Sequence, residues 1–189
     1  MHEKSDERPN DPAVGPSVSD VGQPVVKGER VTLRPPREAE LASLATAIAR
    51  DSEAGPWWGT DPARILGWLE DEEATVFVIE HEGEAAGIIM YEEETDPDYR
   101  FAGIDVTLFE SFIGKGLGSD ALRTLARYLY EERGHHRLHI DPAAANERAI
   151  RAYERVGFRP VGVLRKYERG PDGVWRDALL MDMLAEELH

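Results

Sequence analysis

A mixed α/β (α+β) domain, with one sheet flanked by helices, is the fold class that the sequence predicts, on three observations. Strand-like and helix-like segments follow in the order β-α-α-β-β-β-α-β-α-β-β, and helices that interrupt strands this irregularly exclude a doubly wound parallel sheet. The turn Glu82-Gly83-Glu84 joins two adjacent strands as a hairpin. The chain has 189 residues, 41% of them hydrophobic, and no internal repeat, which suits one globular domain.

Residues 1–27, rich in Pro, Asp, Ser and Gly and without periodicity, read as a flexible tail, with the domain running over 28–189. Order is expected from Gly28, and Val31 and Leu33 alternate with polar neighbours as in a strand ended by Pro35-Pro36. A helix follows over 37–50, with Leu41, Leu44, Ala45 and Ile48 on one stripe. Trp57-Trp58-Gly59 falls in a loop, and Asp61 caps the next helix with Pro62 at its first position and Ile65, Leu66 and Leu69 on its apolar face. Strands over 75–81 and 85–91 make the hairpin, and an acidic loop, Glu92 to Asp98, leads to a third strand over 101–109. Residues 116–132 form a helix with Gly134 past its C-terminal end. Then come a strand over 137–141, a helix over 145–156, a strand over 158–164 and, after the turn Gly170-Pro171-Asp172-Gly173, a last strand over 174–184.

The net charge of −15 repels nucleic acid and anionic membranes and attracts cations. With no cysteine, disulfides, thiolate metal sites and a Cys nucleophile are excluded. No apolar run approaches a membrane span, and the N-terminus lacks an apolar signal core, so a cytoplasmic protein is expected. His135, His136 and His139 are close in sequence, but alternation along the strand turns His139 away from Leu138 and Ile140, and no carboxylate completes a set; no metal is expected.

The sharpest chemical feature is Ile113-Gly114-Lys115-Gly116-Leu117-Gly118-Ser119, between a strand and a well-patterned helix. Glycines let the backbone close around a ligand, and the helix start favours an anion such as pyrophosphate. The same spacing also fits a tight turn with no ligand. Gly118 is followed by Ser119-Asp120, which excludes the phosphate loop of nucleotide hydrolases, and the mid-chain position excludes a dinucleotide-binding loop.

Gly116 and Gly118 resemble the glycines of motif A of the GNAT superfamily of N-acetyltransferases, Gln/Arg-x-x-Gly-x-Gly/Ala, with Ile113 in place of the usual Gln or Arg. Asn146, Ala149, Tyr153, Gly157 and Phe158 resemble motif B, and the two motifs stand in the family's order about 30 residues apart. Trp57-Trp58-Gly59, the run Glu92 to Pro97, Gly103-Ile104-Asp105, Gly114-Lys115-Gly116-Leu117-Gly118 and Asp141-Pro142 are similar to aminoglycoside 6'-N-acetyltransferases in particular. Siderophore-type lysine N-acyltransferases resemble the pattern too.

The resemblance implies a splayed, mostly antiparallel sheet with acetyl-CoA lying between the strands 101–109 and 137–141. It implies cofactor contacts from Leu108, from Ile113, Gly114, Lys115, Gly116, Leu117, Gly118 and Ser119, from Asn146 and from Tyr153. The reaction it implies is direct attack of an amine on the thioester, antibiotic-resistance type, in a monomer or homodimer. A siderophore-lysine or polyamine acceptor is the alternative, and a non-catalytic acyl-CoA sensor a third reading.

Two residues are candidates for the proton transfers that such an attack requires. Asp105 lies in a strand, where Asp is disfavoured; it is the candidate base, or an anchor that only orients the amine. Tyr153 shares a helix face with Ala149, Ile150 and Val156; it is the candidate acid, or a core residue. For a cationic substrate the candidates are Trp57 and Trp58, which offer flat faces or else pack on the core, and the carboxylates of Glu92 and Asp141. Glu92 could equally belong to a solvated run, and Asp141 could cap the following loop. Asp172 or Asp177 could add a later carboxylate.

Overall fold

The computed structural model describes residues 22–189. Eight strands form one sheet in the order β1-β2-β3-β4-β5-β6-β8-β7. These are β1 (Val26–Lys27), β2 (Thr32–Arg34), β3 (Ala74–His81), β4 (Glu84–Glu94), β5 (Phe101–Leu108), β6 (Arg137–Ile140), β7 (Arg159–Arg169) and β8 (Trp175–Leu184). Neighbours are antiparallel except β5 and β6, which run parallel. The helices are α1 (Leu41–Arg50), α2 (Gly55–Trp58), α3 (Pro62–Leu69), α4 (Leu117–Glu131) and α5 (Glu147–Glu154).

Strand alternation divides the core in two. Phe77, Ile79, Ile89, Tyr91 and Ile104 point to one face and pack on Leu117, Leu122 and Leu125 of α4 and on Tyr153 and Val156. Val76, Val78, Ile88 and Met90 point to the other face and pack on Leu44 and Ile48 of α1 and Ile65 and Leu69 of α3. Asp61 caps α3, its carboxylate accepting from Ala63 N at 3.0 Å.

The parallel pair is short. Only Ala102 with Leu138 and Gly103 with His139 are in register, after which β5 runs on to Leu108 and the two strands separate. This separation is the splay that the resemblance implied, and it places an open edge of each strand on either side of a cleft.

Several expectations are corrected. The expected tail reached residue 27, and its first 21 residues lie outside the described residues. Val26 and Lys27, however, already pair with Leu33 and Thr32 as β1. Trp57 and Trp58 stand in a helical turn rather than a loop, because Asp51 Oδ1 accepts from Glu53 N and Ala54 N, both at 2.9 Å, and starts that turn. Glu92 to Glu94 extend β4, opposite Gly103, Ala102 and Phe101, so the acidic run is mostly strand. The seventh strand continues to Arg169, five residues past its expected end, held by pairing with β8.

A buried carboxylate ties the N-terminal hairpin to α4. Asp120, in the first turn of that helix, accepts from Arg30 N at 2.8 Å, Val31 N at 3.0 Å and Glu29 N at 3.4 Å. Gly157 carries the tightest demand in the second motif: its φ is +129°, and a Cβ there would lie 2.1 Å from the main-chain oxygen of Glu187. Gly157→Ala is therefore expected to destabilise the fold by about 2–4 kcal/mol from backbone strain and overpacking. The check is a lower urea midpoint at unchanged slope.

Candidate functional site

The cleft opened by the splay has a volume of about 640 Å³. Its two walls differ in charge, and both follow from local structure. One wall is the glycine loop. After β5 a short turn, Glu110–Phe112, is tied to the start of α2 through Glu110 N, which donates to Asp51 Oδ2 at 3.0 Å. Gly114 and Gly116 then adopt φ of +76° and +78°, and α4 starts at Leu117. The left-handed backbone, which disfavours side-chain-bearing residues, turns successive amides in one direction. Among the described residues no acceptor takes up the N–H groups of residues 114 to 119. Six free donors at the start of a 15-residue helix make an anion site.

Ile113, Gly114, Gly116, Gly118 and Ser119 line the cleft, as does Leu108, against which Gly118 packs. The side chains of Lys115 and Leu117 do not. Leu117 is fully buried in the core, and the Lys115 ammonium sits over the Phe112 ring, 5.3 Å from its centroid. These two residues can serve an anion only through main-chain N–H.

Asn146 ends the loop before α5. Its side-chain oxygen accepts from Ala149 N at 3.1 Å, and the residue borders the cleft, leaving its amide nitrogen as a donor. The Tyr153 ring is buried near Phe158, with centroids 6.3 Å apart. Its hydroxyl has no hydrogen-bond partner among the described residues, and the residue lines the cleft. Burial, then the charges of Asp105 and Asp141, raise its pKa, so it stays protonated and able to donate.

The opposite wall is acidic. Asp105 lies on the floor, on the face of β5 opposite Ile104, with Met90 beside it on β4. Water reaches its carboxylate through the open mouth, but protein surrounds it on the other sides. That desolvation, with the charges of Asp141, Glu92 and Glu168, raises its pKa to about 6. A recess of about 250 Å³ continues from the floor, sharing Glu92, Asp105 and Asp141 and closed by His139 and Tyr167. Tyr167 hydrogen-bonds Asp141, which with burial raises the phenol to about 12. Trp57 is exposed at the mouth, while Trp58 packs edge-on to Trp68 at 6.3 Å and also borders the cleft.

The acidic run divides by alternation. Glu92 faces the cleft, but Glu93 turns to the other side and binds His135 Nε2 at 2.6 Å and Arg133 at 3.0 Å. Burial opposes its charge, but those two hydrogen bonds prevail and hold its pKa down to about 2. With His135 bound there and His139 packed against Gly103, the two histidines serve different places. Asp172 and Asp177 lie outside the cleft: Asp172 pairs with Arg176 at 2.8 Å, and Asp177 accepts from Lys166 N at 2.7 Å.

Sequence reasoning missed Glu168, Tyr167, Trp68, Glu53 and Arg148. Glu168 and Tyr167 come to the cleft because β7 is longer than its hydrophobic pattern. Glu53 and Arg148, which pair at 2.7 Å between the α2 turn and α5, carry no spacing signal at all.

Residues 30–159 match the model of the acetyltransferase (GNAT) domain. Over 167 residues the chain is 34% identical to aminoglycoside N(6')-acetyltransferase type 1 of Klebsiella pneumoniae, covering 77% of this chain and 80% of that protein. The structure of AAC(6')-Ib in complex with ribostamycin and coenzyme A superposes with a TM-score of 0.68 at 30% identity, over 84% of this chain and 96% of that one. Mycobacterium smegmatis RimJ, in complex with CoA-disulfide, gives 0.73 at 26% identity, over 87% and 89%.

Proposed function

The chain belongs to the GNAT acetyltransferase family, and from that premise we propose that it acetylates the 6'-amino group of an aminoglycoside. It is an acetyl-CoA-dependent N-acetyltransferase. The observation that carries the finer reading is the acidic, tryptophan-edged wall facing the amide loop, with Asp105 at the floor between them. An aminoglycoside bears several ammonium groups and flat sugar faces. Glu92, Asp141 and Glu168 would hold the ammonium groups, and Trp57 a sugar face.

The chemistry needs no enzyme nucleophile. The six loop amides bind the diphosphate of acetyl-CoA, and Asn146 donates to its amide arm. Asp105 takes a proton from the substrate ammonium, and the freed amine attacks the thioester carbonyl. The new N–C bond forms and the C–S bond breaks as the tetrahedral adduct collapses. Tyr153 gives its proton to the leaving sulfur and recovers one from the amine nitrogen through solvent.

A thiol-release assay with acetyl-CoA over kanamycin, ribostamycin, spermidine and lysine-derived hydroxamates tests the acceptor. The expected result is rapid turnover of the aminoglycosides, with the product acetylated at the 6' nitrogen by NMR. Acetyl-CoA binding without acetylation of any aminoglycoside would overturn the proposal. Faster turnover of the siderophore amine or of spermidine would replace the acceptor and keep the reaction.

A further inference from the structure

The amide loop brings no free cation of its own to a ligand carrying several phosphate charges. Ile113 is apolar, and Lys115 lies over the Phe112 ring. The overall charge of −15 makes that lack more serious, because the average field of the protein repels an anion. A cation from elsewhere in the chain stands at the loop. Arg30, in the turn between β1 and β2, donates from Nη1 to the main-chain oxygen of Lys115. The same nitrogen lies 3.4 Å from where a Cβ on Gly116 would be.

Three features set Arg30 apart from an ordinary surface arginine. Its main chain is fixed, because Arg30 N is one of the three amides held by the buried Asp120 carboxylate of α4, the helix that the loop starts. The Asp120 charge is therefore taken up by main-chain N–H groups and not by the guanidinium. Arg30 also forms no ion pair with any carboxylate among the described residues, although acidic residues outnumber basic ones by 37 to 22 in the sequence. Finally, one guanidinium nitrogen is spent on the loop carbonyl, which aims the planar group along the loop and leaves Nε and Nη2 as donors.

We infer that Arg30 is a cofactor-binding residue, supplying from the N-terminal hairpin the positive charge for the phosphates of coenzyme A at the rim of the amide loop. This rests on the loop's role in binding acetyl-CoA and adds to it a contact from a segment 84 residues before Gly114. The guanidinium lies on the outer side of the loop, so either the diphosphate or the phosphate on the adenosine ribose is within reach of its charge, well inside the screening length of about 8 Å.

Arg30 could instead be only a strut for the loop, and two substitutions separate the roles. Arg30→Gln keeps an amide donor for the Lys115 carbonyl and removes the charge. Arg30→Lys keeps the charge and loses the fork. Calorimetric titration of the full chain with coenzyme A is expected to give a Kd about 5- to 10-fold weaker for Arg30→Gln. Arg30→Lys should stay within about twofold, and the salt dependence of binding should be shallower in Arg30→Gln than in the wild type.

Dephospho-coenzyme A, which lacks the ribose phosphate, locates the partner. A penalty that disappears with this ligand assigns Arg30 to the ribose phosphate, and a penalty that persists assigns it to the diphosphate. Wild-type affinity in Arg30→Gln would overturn the inference, as would an Arg30→Lys variant as weak as Arg30→Gln with the salt dependence unchanged. Coenzyme A binding by the wild type is the control: its failure would remove the loop's role itself, whereas an indifferent Arg30→Gln removes only the arginine.

Discussion

Asp105→Asn is expected to lower kcat by roughly 10²- to 10⁴-fold, the usual contribution of a positioned general base. The Asn side chain keeps the size and a hydrogen-bond acceptor for the amine, so KM for the amine should change less than kcat. A pH profile separates a base from an anchor. Burial and three neighbouring carboxylates raise the Asp105 pKa to about 6, so its basic form grows in as pH rises through that value. In the wild type kcat/KM should therefore climb through about pH 6 and level above it, and in Asp105→Asn that limb should vanish.

Stability should move the other way. Because the folded pKa lies above the ordinary 3.8, the native state binds more protons than the unfolded chain between those two values. Stability then falls as pH rises across that window, and the deficit persists at neutral pH. Asp105→Asn removes it, so the variant should melt higher than the wild type at pH 8 while being nearly inactive. An unchanged kcat, or a pH limb that survives the substitution, would take Asp105 out of the base role.

Gly116→Val is the second large effect. Gly116 has φ of +78° at the N-terminal cap of α4, where a β-branched residue is strained by about 1–3 kcal/mol. The loop relieves that strain by rotating its amides away from a common direction, and the added side chain also meets Arg30 at the rim. Acetyl-CoA KM is expected to rise about 10-fold or more, with the KM for the amine close to wild type, since the acidic wall stands on other elements. Initial rates with each substrate varied in turn check the split, and an unchanged acetyl-CoA KM would exclude the amide loop as the phosphate site.

These two residues differ in how far they could be read from the chain. Gly116 was legible as a loop glycine because the pattern of three alternating glycines before an amphipathic helix is local. Its free amides follow directly from a left-handed backbone at a helix start. Asp105 was legible as an oddity, a carboxylate in a strand, but nothing in its neighbours along the chain gives its raised pKa. That comes from Asp141 on the end of β6, Glu92 on β4 and Glu168 on β7, which the sheet order brings around one floor. Glu93 is the opposite case: one residue from Glu92, it was grouped with it by composition, and the strand's alternation sends it to Arg133 and His135 instead.

By itself the sequence determined the order of elements, the hairpin at Glu82-Gly83, the α3 cap at Asp61 and the two motifs, because backbone sterics, capping and periodicity act over a few residues. Only the tertiary structure decided that β5 and β6 part after one short parallel contact, that β7 carries Glu168 into the cleft, and that Arg30 reaches the loop. Strand register and Coulomb interactions join residues distant in the chain, and their outcome exists only once the sheet has closed around its core.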